Sequence, residues 1–125
     1  DQKWTAQAIK SWKGFEKRFP ESEHRVEVEE KRTECVERLA KKELQVAQFY
    51  AKRNAWESVR RRSKGLLEDF PTSEFTLDAK VLQIQALVEL DRFEETESLW
   101  KQLLAESPES TEDLRKKYPQ LGAQN

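Results

Sequence analysis

The chain is poor in the side chains that carry most enzyme chemistry. Its 125 residues include one cysteine, one histidine and three glycines. A single cysteine, Cys35, excludes a disulfide within the chain, and a metal site built on His24 would need partners that the chain does not contain. No glycine-rich phosphate loop and no nucleophile elbow occurs. The sequence therefore predicts a protein that is not an enzyme, with no cofactor, no metal and no small-molecule substrate.

Long apolar runs and an excess of charge of one sign are also missing. The 23 basic and 24 acidic residues leave a net charge of −1, so the overall field favours neither nucleic acid nor an anionic membrane surface. No stretch of about 18 apolar residues that could cross a bilayer occurs. Because the sequence starts at Asp1 without a methionine, we expect a piece of a longer protein, with any membrane anchor outside it.

Proline is scarce too, but three of the four prolines stand in similar pentapeptides. These are FPESE at 19–23, FPTSE at 70–74 and SPEST at 107–111. Each proline follows a stripe of apolar residues at helical spacing, and proline cannot continue a helix. Ser22, Ser73 and Ser110 follow two residues later, where an N-cap would begin the next helix. The pentapeptides predict three joints, each a helix stop followed by a serine cap.

The spacing of the joints predicts an all-α solenoid of antiparallel, tetratricopeptide-like helix hairpins. The interval from Pro71 to Pro108 is 37 residues, near the 34-residue tetratricopeptide period, and Asn54 and Asp91 fall at the turns within the hairpins. An irregular helical bundle is the alternative. The first helix of the central repeat is expected to be one extended helix near 23–52, because about 30 residues there contain neither glycine nor proline. Two collinear pieces are the alternative, with a weak point near Lys41–Lys42.

This pattern divides the chain into an array at 1–110 and a tail. The array consists of the second helix of a first repeat at 3–19, a central repeat at 23–70 and a last repeat at 73–107. A short terminal helix and a tail that frays from Gln120 are expected at 111–125. The four tryptophans, Trp4, Trp12, Trp56 and Trp100, sit at hairpin-packing positions, which predicts that they lie in the core. Trp4 is the exception, because at the edge of the array it is either exposed or packed on a helix outside this sequence.

The stretch CVERLAKKELQVAQFYAKRNAWESVRRRSKGLLEDFPTSEFTLDA at 35–79 is more specific than a generic repeat. It resembles the outer-membrane assembly lipoproteins of the BamD type, and the resemblance covers roughly residues 5–108. The residues that carry it are Leu39-Ala40, Glu43, Val46-Ala47, Phe49-Tyr50, Lys52-Arg53, Ala55-Trp56 and the stop Asp69-Phe70-Pro71. It matches the later repeats of that family.

The resemblance implies a non-catalytic periplasmic scaffold that a lipid, attached upstream of this sequence, anchors to the outer membrane. Its task would be the assembly of β-barrel proteins beside a barrel-forming subunit with POTRA domains and other assembly lipoproteins. In such proteins the C-terminal repeats dock on the partner complex. Arg62 matches an arginine position used for POTRA contact in the family, whereas at Arg61 and Lys64 the family more often has apolar or neutral residues.

The basic run Arg60–Lys64 is the strongest local charge feature of the chain. A partner-binding patch with Arg62 first, supported by Arg60, Arg61 and Lys64, is one interpretation, because arginine forks suit acidic protein surfaces. A solvated helix face opposed by Glu57 and Glu68 is the other. Nucleic acid is disfavoured, since no aromatic residues are interleaved with the run.

Two further functions remain open from the sequence. Another envelope tetratricopeptide adaptor, such as a cell-division coordinator of the Tol-Pal type, shares the proline–serine punctuation. A regulatory domain attached to an enzyme is the third possibility. An upstream lipid-attachment cysteine would favour the assembly scaffold, and an upstream coiled coil would favour the coordinator.

Overall fold

The computed structural model describes residues 25–123, and this part of the chain is built of helices without a strand. The α-helices are α1 (Arg25–Ala51), α2 (Trp56–Asp69), α3 (Thr76–Glu89), α4 (Glu97–Glu106) and α5 (Pro108–Lys117), and 3-10 helices span Phe93–Thr96 and Pro119–Ala123. The predicted all-α, tetratricopeptide-like fold is confirmed. The predicted helix at 3–19, the joint at 19–23 with Ser22, and Trp4, Trp12 and His24 lie outside the described residues.

Helix α1 is the extended helix that the sequence predicts. It runs through 27 residues and stays helical across Lys41 and Lys42, because no glycine or proline interrupts it. The chain forms two compact units, Asp1–Lys42 and Glu43–Asn125. In the first unit, Cys35 is free and buried.

The two turns within the hairpins have the same backbone geometry. Asn54 and Asp91 have positive φ angles of 57° and 64°, which short polar residues tolerate better than most others. After α1, the Ala55 amide donates to the Tyr50 carbonyl and the Asn54 amide to the Ala51 carbonyl, both at 3.0 Å. These are the two bonds of a Schellman motif, and α3 ends with the same pair of bonds around Asp91. Both turns lie where the sequence places them.

The joint at Pro71 stops a helix as predicted, but Ser73 does not cap the next one. Helix α3 begins at Thr76 with Phe75 at the N-cap. Ser73 instead closes the turn, since its amide donates to the Phe70 carbonyl at 3.1 Å and its Oγ accepts from the Phe75 amide at 3.1 Å. With both groups used in the turn, the helix starts later than the sequence predicts.

The joint at Pro108 differs from the prediction in the role of the proline. Helix α5 begins at Pro108 itself, with Ser107 as N-cap, and Ser110 lies inside the helix. Ser107 Oγ accepts from the Ser110 amide at 3.4 Å. Proline is tolerated at the first helical position, because the backbone amide there has no hydrogen-bond partner within the helix. The residue before the proline explains the difference, because serine has a capping oxygen and Phe70 has none.

Two apolar clusters form the core of the second unit. The smaller cluster joins α1, α2 and α3 through Leu44, Leu66 and Ala79. The larger cluster joins α3, α4, α5 and the last 3-10 helix; its buried members are Ile84, Val88, Trp100, Leu103, Leu114, Tyr118 and Leu121. Helix α3 contributes to both clusters and is therefore the central element of this unit.

The tryptophan prediction is confirmed for Trp100 and wrong for Trp56. Trp100 is 1% exposed at the centre of the larger cluster. Trp56 is half-buried and belongs to neither cluster. Trp56 is the first residue of α2, directly after the turn.

The prediction of a tail that frays from Gln120 is wrong for the residues up to Ala123. Pro119–Ala123 form a 3-10 helix, and Leu121 is fully buried in the larger cluster. Tyr118, directly before it, is 7% exposed. The burial of these two apolar side chains holds this segment against the larger cluster.

The Tyr118 phenol is expected to resist ionisation. It donates to Glu89 Oε2 at 3.1 Å, and burial together with the Glu89 charge raises the pKa of Tyr118 to about 12. An unfolded tyrosine ionises near pH 10. The raised pKa means that the neutral phenol is favoured in the folded state, so its contribution to stability is complete below about pH 10 and is lost as the pH rises toward 12.

Phenolate absorbance of the Tyr50→Phe variant measures the pKa of Tyr118 directly, since the chain has two tyrosines and Tyr118 is the one that remains. The remaining phenol is expected to titrate near pH 12 in the folded variant and near pH 10 in urea. Titration near pH 10 in the folded variant would show that Tyr118 is not buried against Glu89.

Candidate functional site

The basic run lies on α2, and Arg62 is the member that reaches another helix. Its Nη1 lies 3.4 Å from Glu43 Oε2 on α1, with 47% of the Arg62 side chain exposed. Glu43 is less exposed, at 25%. The ion pair orients the guanidinium at the edge between the two helices and leaves much of it open to solvent. A partly exposed, oriented arginine can still donate hydrogen bonds to a carboxylate of another protein.

Arg60 lies on a different side of α2. Positions 60 and 62 are about 200° apart around a helix, and the Arg60 side chain is only 17% exposed. Its Nη2 bonds Glu57 Oε1 at 2.5 Å. The hydrogen bond to Arg60 lowers the pKa of the Glu57 carboxyl, and the same bond raises the pKa of Arg60. Arg60 is therefore engaged within its own helix.

Arg61 and Lys64 are open to solvent. Their side chains are 70% and 56% exposed, and each lies 3.9 Å from a glutamate on the same helix, Glu57 for Arg61 and Glu68 for Lys64. Exposed pairs of this length hold a side chain weakly. Both cations are free to turn toward a partner.

The structure does not bring the four basic residues of the run together on one side of α2. Arg61 and Arg62 lie beside Gly65, at helical spacings of four and three residues. A Cβ added at Gly65 would meet nothing within 4 Å, so the packing of this fold does not require a glycine there. A glycine at this position destabilises the helix by about 1 kcal/mol relative to alanine. The two arginines therefore border a stretch of helix surface without a side chain.

An exposed aromatic residue on α1 was not predicted as part of a site. Phe49 is 49% exposed, and the Arg53 guanidinium lies 3.5 Å from its ring centroid. Arg53 Nη1 also donates to the Phe49 carbonyl at 3.0 Å. The i, i+4 spacing of phenylalanine and arginine is the signal in the sequence. Exposed aromatic and arginine side chains are frequent binding hot spots.

Other kinds of site find no support between residues 25 and 123. No group of three or more His, Cys, Asp or Glu side chains there could hold a metal ion. No helix in this range is long and apolar enough to cross a bilayer.

Comparison with known proteins gives one family. The chain matches YfiO, described as outer membrane lipoprotein, over residues 1–103. Curated relatives have the name outer membrane protein assembly factor BamD. The chain is 30% identical to that of Haemophilus influenzae over 79 residues, which is 63% of this chain and 30% of the relative.

Two relatives from Xylella fastidiosa have the same name. The BamD of strain Temecula1 is 27% identical over 117 residues, 94% of this chain and 40% of the relative. That of strain 9a5c is 33% identical over 73 residues, 58% of this chain and 25% of the relative. The matched part of the chain thus corresponds to between a quarter and two-fifths of the length of these relatives.

Proposed function

The chain belongs to the YfiO family of outer membrane lipoproteins, and from this premise we propose that it is part of a non-catalytic factor in the assembly of outer-membrane proteins. The name shared by its curated relatives supports this function. We place the protein at the periplasmic face of the outer membrane, held there by a lipid anchor outside this sequence. Its partners would be other proteins of the assembly machinery.

The proposed contribution of this segment is docking on the POTRA domains of the barrel-forming subunit. The docking face consists of Arg61, Arg62 and Gly65 on α2, together with Phe49 on α1. Phe49 lies six positions after Glu43, the partner of Arg62, which is about 9 Å along the helix and about 120° around it, so Phe49 borders the face on the adjacent side of α1. This distance lies well within one protein–protein interface.

The orientation of Arg62 is the observation that carries the proposal. Glu43 contacts the guanidinium on one side at 3.4 Å, while 47% of the side chain stays exposed. An arginine that is already ordered loses little conformational entropy when it binds. Because its guanidinium has five donors, it can keep Glu43 and also bond a partner carboxylate. Gly65 beside it lets the backbone of a partner come close.

Charge reversal at Arg62 is expected to weaken docking without unfolding the protein. Arg62→Glu should reduce affinity for the isolated POTRA domains about tenfold or more, as truncation of an arginine hot spot does. Helicity should stay unchanged, because the side chain lies outside both core clusters. Isothermal titration calorimetry gives the affinity, and circular dichroism checks the fold.

Three matched variants make the result specific. Lys116→Glu has the same charge change on exposed α5 surface and should bind as the parent chain does. Arg60→Glu tests the other side of α2 and should weaken binding less than Arg62→Glu. Glu43→Arg/Arg62→Glu keeps an ion pair between α1 and α2 and should still dock poorly. Equal affinity of Arg62→Glu and the parent would contradict the docking face.

A further inference from the structure

Gly65 lies in the interior of α2, and nothing within the fold requires a glycine at this position. Its φ angle is not positive, so other residues can adopt the same backbone conformation. A Cβ at position 65 would meet no atom within 4 Å, and alanine would be better than glycine in a helix interior. Because the fold gains nothing from Gly65, the surface around it is a candidate for contact with another molecule.

Four charged side chains surround Gly65 on the helix surface. They stand three and four positions before and after it, the spacings that make residues neighbours on a helix, and all four are exposed; they are Arg61, Arg62, Glu68 and Asp69. Seven positions from Arg62 to Asp69 correspond to about 10 Å along the helix axis. The surface thus has bare backbone at its centre, two positive side chains at one end and two negative side chains at the other.

The negative end is unfavourable for α2 itself. Glu68 and Asp69 lie in the last turn, where carboxylates oppose the helix dipole, and no basic residue stands in that turn. Glu68 has Lys64 at 3.9 Å, and Asp69 forms no ion pair among residues 25–123. By contrast, Glu89 at the end of α3 accepts a hydrogen bond from Tyr118 at 3.1 Å. The glycine and the acidic turn are two independent features of one face that reduce the stability of α2.

A helix of another protein fits this surface better than a strand. The amides and carbonyls around Gly65 bond within α2, so the edge of a strand placed here would keep unpaired backbone groups. A helix brings a backbone that is already hydrogen-bonded. Glycine at the contact lets two helix axes come closer than the usual distance of about 8–10 Å.

We propose that Gly65 is the contact point for a helix of the partner protein that lies along α2, with acidic side chains beside Arg61 and Arg62 and basic side chains beside Glu68 and Asp69. This inference rests on the proposed docking function and adds the kind of element that the docking face receives. Gly65 determines specificity, because a side chain there would hold the partner helix away. The opposite charges at the two ends fix the direction of that helix.

Gly65→Ala is expected to make the chain more stable and docking weaker. Alanine should raise the equilibrium constant for folding about fivefold, which circular dichroism detects as a higher urea midpoint. Affinity for the isolated POTRA domains should fall about tenfold, since the added methyl group overpacks a close contact. Surface plasmon resonance should show this loss mainly as faster dissociation.

Gly122→Ala is the matched control for this substitution. Gly122 lies in the last 3-10 helix, and a Cβ added there also meets nothing within 4 Å. The control variant should dock as the parent chain does. A Gly65→Ala variant that docks as tightly as the parent chain, or that is less stable than it, overturns the proposal.

The acidic end of the surface has its own test. Glu68→Gln/Asp69→Asn should weaken docking about threefold, as expected for the loss of exposed ion pairs with basic side chains of the partner helix. The control is Glu109→Gln/Glu112→Gln, which has the same charge change on exposed α5 surface and should dock no more weakly than the parent chain. Equal docking by the two double variants would contradict a partner helix with basic side chains at this end.

The failure of this inference is distinguishable from the failure of the docking face. Weaker docking of Arg62→Glu together with unchanged docking of Gly65→Ala would keep the docking face and overturn the close helix contact. Docking that neither substitution changes would overturn both proposals.

Discussion

Trp100→Ala is expected to cost about 3–5 kcal/mol of unfolding free energy, the range for deletion of a buried tryptophan. Trp100 is 1% exposed and lies in the larger cluster with Leu103, Leu114 and Leu121. The Arg115 guanidinium carbon lies 5.3 Å from its ring centroid. The cavity would open where α3, α4 and α5 meet, and the surrounding helices can close it only in part. Urea denaturation followed by circular dichroism measures the loss.

The matched control is Trp56→Ala, the same substitution at a half-buried position outside both clusters. It should cost less than half as much. Because a typical domain is stable by about 5–15 kcal/mol, Trp100→Ala can leave the chain partly unfolded, and Trp100→Phe serves as a milder variant. Similar losses at positions 56 and 100 would contradict the assignment of Trp100 to the core and of Trp56 to its margin.

Leu121→Ala is expected to cost about 2–3 kcal/mol, at the lower end for a buried leucine. Leu121 is fully buried although it lies only four residues from the end of the sequence. Leu121 lies in a 3-10 helix of five residues, which can relax around a cavity more easily than a longer α-helix, and for this reason we expect the lower part of the range. The same urea titration measures the change.

Leu104→Ala provides the comparison, since Leu104 packs against the same cluster but is only half-buried. It should cost less than Leu121→Ala. Hydrogen exchange gives a second measurement, in which the Leu121 amide should be protected because it donates to the Tyr118 carbonyl at 3.0 Å. A loss below about 0.5 kcal/mol, the level of ordinary surface substitutions, together with rapid exchange, would show that the tail is frayed.

Local signals in the sequence located most of the helices and turns. The long helix followed from a stretch without glycine or proline, and the turns at Asn54 and Asp91 followed from residue types that tolerate a positive φ. The joints were predicted less well. At Pro71 the helix stop was right and the cap was not, because Ser73 bonds within the turn. At Pro108 the deciding residue was Ser107, whose capping oxygen makes the proline the first residue of a helix.

The basic run shows why the site was harder to predict than the fold. The sequence places Arg60, Arg61, Arg62 and Lys64 within five residues, but only the packing of α1 against α2 decides which of them faces another helix. Arg62 meets Glu43, which is 19 positions away in sequence.

The sequence by itself determined the helical class, the hairpin turns and the resemblance to a family, since periodicity, proline and short polar turn residues act through local backbone preferences. The tertiary structure decided which apolar side chains form the core and which arginine and lysine side chains stay exposed to solvent. Trp56 and Trp100 look alike in the sequence, and Leu121 looks like part of a loose end. Their burial depends on which helices surround them, and that is a property of contacts between distant parts of the chain.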